Sequence, residues 1–212
     1  RAVYAIVVNI LVGLVLSGWL LSVLADAGEI RSHRAGFREG VRIVLSVLAA
    51  TGLGLAFFRL QRPPSRHPMV VLNGFAQVWT VSAAEIMVCW AVVGAVTEEL
   101  LRDRSELLAV IAAALVASVL FGVYHIGHSP PFNSPGMILK LTGIGLLTSL
   151  FFFVSRDVYG TIVFHNVFAL FGVLRALQGA GKLAEFERLS MPLLATAGVS
   201  LVTLITTHLI WL

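Results

Sequence analysis

The sequence is poor in charged residues. Asp, Glu, Lys and Arg make up 12% of its 212 residues, and 58% are hydrophobic, whereas soluble domains carry about 25% charged residues. The mean hydropathy is +0.93. So few polar groups cannot cover a folded surface in water, which excludes an ordinary soluble domain. The net charge of +4 is too small to indicate a nucleic-acid partner. The single cysteine, Cys89, excludes an intrachain disulfide.

Long apolar runs are what the sequence has in place of charge. A membrane-spanning helix needs about 20 mostly apolar residues, and the runs are continuous rather than alternating, which disfavours a β-barrel. Seven runs meet or approach this length: Val3–Ala25, Val41–Leu60, Val81–Leu101, Leu107–Tyr124, Met137–Val154, Tyr159–Leu177 and Met191–Leu212. The apolar stretch Met69–Thr80 is interpreted as an interfacial helix, an eighth span or the start of the third, so we accept six to eight spans. We predict an all-α polytopic transmembrane bundle, a single integral membrane domain over residues 1–212.

The ends of the first run allow two interpretations. Ala25-Asp26-Ala27 follows it like a small-residue cleavage site, but the run is longer than the apolar core of a signal peptide, about 7–15 residues. We therefore predict a retained helix. Arginines follow the first and the second span on opposite sides, so the positive-inside rule does not decide the orientation. The charged segment Asp26–Gly40 is predicted to form an amphipathic surface helix, and the loop composition favours a prokaryotic plasma membrane.

Ionisable residues stand out inside or at the ends of these apolar runs. They are Glu85, Glu98, Glu99, His125 and His165. Because such groups are costly in lipid, they mark either a functional site or a structural pair. Arg102, four residues after Glu98, allows a structural salt bridge at the membrane face. His165 is followed by Asn166, and both must find hydrogen bonds inside the protein.

The residue types favour hydrolysis through an activated water. A carboxylate and an imidazole can together deprotonate water, and a second imidazole with an amide can stabilise an oxyanion. The sequence contains no G-x-S-x-G nucleophile elbow, which makes a serine protease the weaker interpretation.

Three motifs follow one another in a familiar order. They are Glu98-Glu99-Leu100-Leu101, then Leu120-Phe121-Gly122-Val123-Tyr124-His125, then Gly160-Thr161-Ile162-Val163-Phe164-His165-Asn166. Over residues 81–174 the chain resembles the CPBP (Abi) family of CAAX prenyl endopeptidases and bacteriocin-processing relatives. The resemblance implies a glutamate-dependent intramembrane endopeptidase in which Glu98 is the general base and acts with His125 on a water. It implies that Glu99 supports the site and that His165 helps hold the oxyanion. Asn166 is the candidate amide, and Arg102 and Phe121 are supporting candidates.

The resemblance also sets expectations for cofactors and partners. We expect no cofactor and no metal, with zinc as the disfavoured alternative that Glu and His ligands allow. The expected partners are membrane lipid, a peptide or protein substrate, prenylated or not, and in the alternative interpretation a membrane protein. No nucleic-acid partner is expected.

Departures from the family motifs keep alternatives open. Asp103 stands where the first motif places Arg, between Arg102 and Arg104, and Ala169 stands four residues after His165, where an Asn is expected. These differences favour a second interpretation, a non-catalytic scaffold or accessory subunit of a membrane complex. A transporter subunit is a third, weaker interpretation, since the sequence has no inverted repeat.

The spacing of the motifs bears on which carboxylate meets His125. If residues 102–105 form a simple turn, Glu98 lies close to that turn and His125 about 30 Å away along the next helix. Glu85 is then closer in depth to His125. The sequence therefore offers Glu85 as the alternate partner of the imidazole.

Overall fold

A computed structural model describes residues 4–128, 130 and 132–211, and within these residues the chain is helical, without strands. Seven helices in this part of the chain are long and apolar enough to cross a membrane: α1 (Ala5–Asp26), α2 (Val41–Leu60), α3 (Pro68–Leu101), α4 (Glu106–Gly127), α5 (Pro135–Ser155), α6 (Val158–Gly179) and α7 (Met191–Trp211). The predicted polytopic α-helical bundle is thereby confirmed. Val3 and Leu212, the outer ends of the first and last predicted spans, lie outside the described residues.

Helix α3 is the centre of the bundle. In its most apolar stretch 67% of the residues are buried, against at most 44% in any other spanning helix. The helix begins with Pro68, whose fixed φ suits a first helical position, and it includes the stretch Met69–Thr80, which is therefore the start of the third span. Its middle, Ile86–Gly94, is π-helical. Helix α1 also opens with a π-helical segment, Ala5–Leu16, before continuing as an α-helix.

The segment that joins α1 to α2 is irregular, so the predicted amphipathic helix over Asp26–Gly40 is wrong beyond the end of α1. Glycines explain this, because Gly28, Gly36 and Gly40 all have positive φ values, of 74°, 90° and 60°, which a right-handed helix cannot accommodate. The Gly36 carbonyl accepts a hydrogen bond from the Val158 N–H at 2.8 Å. The segment therefore folds back against the start of α6.

The remaining connections are short. Helices α3 and α4 are joined by a turn over residues 102–105, and Ser105 caps α4 by accepting a hydrogen bond from the Leu108 N–H. Asp157 caps α6 through the Gly160 N–H at 2.6 Å. The polar segment before α7 contains the short 3-10 helix Leu183–Phe186. In the connection between α4 and α5, Ser129 and Pro131 lie outside the described residues.

Helices α4 and α5 pack at close range through a glycine. A Cβ added at Gly145 on α5 would lie 2.9 Å from the Ser118 Cα on α4, whereas a Cβ at Gly143 would meet nothing within 4 Å. Because a backbone atom cannot move aside, we expect Gly145→Ala to lower the free energy of unfolding by about 1–3 kcal/mol. Gly143→Ala on the same helix is the matched control, and it should be neutral or stabilising by up to about 1 kcal/mol. Thermal unfolding in detergent measures both, and equal effects would contradict this packing.

Candidate active site

One buried carboxylate lies between two buried imidazoles inside the bundle. Glu85 of α3 contacts His125, at the end of α4, with 3.7 Å between Oε1 and Nε2. Its other oxygen lies 3.2 Å from Nε2 of His165 in α6. The three residues are only 8%, 7% and 1% exposed, in that order. The central helix thus joins two histidines that are 40 residues apart in the sequence.

His125 is oriented by the last turn of its own helix. It opens the 3-10 turn His125–Gly127 that follows the regular part of α4. Its Nδ1 donates to the Phe121 carbonyl oxygen at 2.8 Å. The Phe121 ring meets the rings of His125 and His165 edge-on, with centroids 4.8 and 4.9 Å apart. The predicted supporting residue Phe121 therefore packs against both imidazoles.

His165 is oriented by α5 and by an indole from α3. Its Nδ1 lies 3.0 Å from Oγ1 of Thr148, whose hydroxyl is also 3.0 Å from the Ile144 carbonyl. The Trp90 ring lies 5.8 Å from the His165 ring. Sequence reasoning missed Thr148 and Trp90, although a hydroxyl in the middle of a span was a signal that it serves a buried polar partner.

The hydrogen bonds of the two imidazoles bear on how each can contact the Glu85 carboxylate. The Phe121 carbonyl can only accept, so Nδ1 of His125 carries a proton, and a ring with that one proton has a lone pair at Nε2, the atom facing Glu85. With the Thr148 hydroxyl donated to Ile144, His165 likewise donates from Nδ1 and faces Glu85 with Nε2. A carboxylate and two bare nitrogens cannot bond to one another. Each contact therefore needs a proton, either on one of the two groups or from a donor between them.

A third histidine continues the cluster toward the segment between α4 and α5. The His128 ring stacks on the His125 ring, with centroids 4.7 Å apart and planes 28° from parallel. Its Nε2 is buried and has no hydrogen-bond partner within the described residues. Burial lowers the pKa of His128, the neighbouring His125 lowers it further, and Glu85 raises it. The ring is therefore neutral near pH 7 and lies in contact with the buried centre.

Glu98 lies in a different environment at the far end of α3. It follows Glu85 by 13 residues, which is about 20 Å along a helix. Its carboxylate, 2% exposed, pairs with the guanidinium of Arg34 at 2.7 Å and with that of Arg156, whose Nη2 is 2.8 Å from Oε1. Arg102 pairs with Glu99 at 3.2 Å. The predicted pairing partner of Glu98, Arg102, thus binds its neighbour.

Asn166 follows His165 in the sequence and is buried, but its side chain makes its hydrogen bonds to other residues than Glu85 and the two histidines. Its side-chain oxygen accepts from the Ser82 hydroxyl at 2.9 Å, and its amide donates to the Phe75 carbonyl at 3.2 Å. These bonds tie α6 to α3. Of the predicted site residues, the structure brings together His125, His165 and Phe121 around Glu85, and it places Glu98, Glu99, Arg102 and Asn166 in other contacts.

The alternative of a zinc site requires several Glu and His side chains to converge on one ion. Among them, no group of three or more His, Cys, Asp and Glu side chains is arranged to hold a metal ion. In the Glu85 cluster the two Nδ1 atoms face oxygen atoms, the Phe121 carbonyl at 2.8 Å and the Thr148 hydroxyl at 3.0 Å.

The fold and the centre define a multi-pass membrane protein with a buried Glu–His cluster. Residues 80–171 match the family described as type II CAAX prenyl endopeptidase Rce1-like. The matched segment holds Glu85 and all three motifs on which the resemblance rests, so the predicted resemblance is confirmed and this segment is Rce1-like. No curated protein and no solved structure matches the chain.

Proposed function

We propose that the protein is an intramembrane endopeptidase in which Glu85 and His125 activate the water that hydrolyses a peptide bond. The observation that carries the proposal is the contact of one buried carboxylate with two buried imidazoles inside an Rce1-like segment. Buried ionisable groups within a membrane are costly and are retained where they serve a function.

The proposed attacking water bridges Glu85 and His125. Oε1 and Nε2 are 3.7 Å apart, so one water at an ordinary hydrogen-bond length of about 2.8 Å can reach both. It donates one hydrogen to each lone pair and leaves its own lone pairs free. When the water oxygen bonds to the substrate carbonyl carbon, Glu85 or His125 takes the proton. The carbonyl oxygen then carries the negative charge of the tetrahedral intermediate.

His165 supplies the second half of the reaction. With a proton on both Nδ1 and Nε2, His165 is an imidazolium that donates from Nε2 to the Glu85 carboxylate at 3.2 Å. Its positive charge then stabilises the forming oxyanion, while Oε1 of Glu85 stays free to accept the proton from water. As the C–N bond breaks, the proton taken from water is passed to the leaving amine, so that the products are a carboxyl and an amino group. Thr148 holds the imidazole in this orientation through Nδ1.

Assigning the base to Glu85 departs from the residue that the family resemblance implies. The role of Glu98 as base stays a prediction, and its two guanidinium partners favour a structural role instead. Asn166 is left out of the proposed oxyanion site because its hydrogen bonds go to Ser82 and Phe75. The cluster around Glu85 needs neither residue.

The substrate proposed is a peptide or protein that reaches the site from the membrane. The matching family is that of type II CAAX prenyl endopeptidases, so a prenylated C-terminal peptide is the first substrate to test. The full chain in proteoliposomes should cleave a quenched-fluorescent farnesylated CAAX peptide or its unprenylated version. If the chain cleaves neither of these peptides, and also no member of a quenched peptide library, the second candidate, a non-catalytic scaffold, is favoured. That candidate is supported by the ion pairs of Glu98.

We expect this hydrolysis to proceed without a metal ion. The proposed base, water and acid are complete without one, so the rate in 5 mM EDTA should stay within about twofold of the untreated rate, a change of under about 0.5 kcal/mol in the barrier. Dialysis against EDTA followed by zinc addition provides the control. A loss of activity that zinc restores would place a metal at Glu85, His125 and His165, the donor types that catalytic zinc uses.

A further inference from the structure

A cationic cavity opens beside Glu98, at the face of the bundle where α3 and α5 end and α4 and α6 begin. Its volume is about 250 Å³. Its lining residues are His33, Arg34, Arg38, Glu98, Glu106, Val110 and Arg156. It lies about 20 Å along α3 from the Glu85 cluster and is therefore a separate site.

The charges around this cavity are unbalanced. Three guanidiniums line it, and Glu98 and Glu106 are the two lining carboxylates. The Glu106 side chain is 81% exposed and lies 3.9 Å from Arg34, so water largely screens it. Glu98 is already held by two of the guanidiniums. The lining thus has one more positive than negative group, and the charge of Arg38 has no lining carboxylate of its own.

The pKa shifts of two lining residues, His33 and Arg38, also reflect the neighbouring positive charges. Burial and then the guanidiniums of Arg38 and Arg34 lower the pKa of His33, so it is neutral near pH 7. Burial and then the guanidiniums of Arg42 and Arg156 lower the pKa of Arg38, and the Asp157 carboxylate partly opposes them by raising it. Repulsion between neighbouring guanidiniums is relieved by an anion placed among them.

Donors are available for such an anion. Nε of Arg34 is buried and makes no hydrogen bond among the described residues, although it lies 3.8 Å from Oε2 of Glu99. Arg38, which lines the cavity, donates from Nε to the Arg156 carbonyl at 3.1 Å. Guanidinium groups bind phosphate oxygens in pairs, with more geometric specificity than a lysine provides.

We propose that this cavity binds the phosphate group of an anionic membrane lipid. Its wall includes Val110 of α4, and the neighbouring Leu107 and Leu108 are 70% and 62% exposed on the outer surface of the bundle. A headgroup phosphate among the arginines therefore leaves the acyl chains beside an apolar helix face, at the end of the bundle where the spanning helices α3 and α5 end. A free phosphate shares the headgroup chemistry but not these apolar contacts.

To test this proposal, the full chain in detergent is titrated separately with dioctanoyl phosphatidylglycerol, dioctanoyl phosphatidylcholine and inorganic phosphate. Binding is measured by thermophoresis. Phosphatidylglycerol should bind most tightly. Arg38→Gln should weaken its binding about tenfold, the loss of one charge-assisted hydrogen bond. Arg31→Gln removes the same charge from an exposed residue of the same segment and should change it by less than about twofold.

A second variant changes the affinity in the opposite direction. Glu106→Gln removes an exposed negative charge from the rim and should tighten phosphatidylglycerol binding by about two- to threefold. This effect does not depend on the folding of the Arg38 variant. Inorganic phosphate binding as tightly as the lipid would replace the lipid with a soluble anion and overturn the proposal. So would equal effects of Arg31→Gln and Arg38→Gln, or no phosphatidylglycerol binding.

Discussion

Replacing Glu85 by glutamine should reduce the rate of peptide cleavage by about 10³-fold, within the range that general-base catalysis contributes. Glutamine keeps the size of the side chain and can donate to one imidazole, but it cannot accept a proton from water. The measurement is kcat for the quenched farnesylated peptide in proteoliposomes. Circular dichroism and the elution volume in detergent check that the variant is folded.

The same assay decides between the two glutamates. Glu98 lies about 20 Å from Glu85 along α3, so the two cannot act on the same water. We expect a Glu98→Gln variant, compared per folded molecule, to keep kcat within about threefold, a barrier change of under about 0.7 kcal/mol. The opposite pattern, with Glu85→Gln active and Glu98→Gln inactive, would return the base to Glu98 and require a rearrangement of the ends of α3 and α4.

The second large effect concerns the stability of the Glu98 ion pairs. Arg156→Gln should lower the free energy of unfolding by about 2–3 kcal/mol, less than a fully broken buried pair because Arg34 stays beside Glu98. The double variant Arg156→Gln, Glu98→Gln should regain at least about 1 kcal/mol of this loss, because no unpaired carboxylate is left buried. Unfolding in a denaturing detergent series measures both variants.

The double variant also serves the activity question. Because it recovers part of the lost stability while lacking the Glu98 carboxylate, its cleavage rate separates a folding defect from a catalytic one. Strictly additive losses in the single and double variants would contradict the ion pairs described here. In that case the arginines interact with solvent rather than with Glu98.

Much of the fold could be predicted from the sequence because apolar run length alone sets the number of spans. The apolar runs predicted seven spanning helices. They left open whether Met69–Thr80 belongs to the third span, because Asn73 interrupts the apolar pattern there. That side chain is buried and binds the Phe186 and Arg188 carbonyls and the Ser190 N–H. A polar residue satisfied by a distant loop looks, in sequence, like the end of a span.

The site was only partly predictable, for a different reason. His125 and His165 could be found because ionisable groups in apolar runs are rare, and the depth argument for a tight turn pointed to Glu85. The partners of Glu98 could not be found, since Arg34 lies in the irregular segment before α2 and Arg156 in the turn between α5 and α6. Spacing along one helix suggested Arg102 instead, and contacts between distant loops leave no periodic signal.

The π-helical segment in the middle of α3 has a consequence for how this chain can change in length. A π-helical turn bonds residue i to i+5 rather than i+4, so each such turn holds about one residue more than an α-helical turn. Loss of one residue within Ile86–Gly94 can convert that turn to an ordinary α-helical one, while Glu85 and Glu98 keep their faces on either side. Relatives that are one residue shorter at this place can therefore share the same arrangement of carboxylates, and an alignment gap there does not signal a different fold.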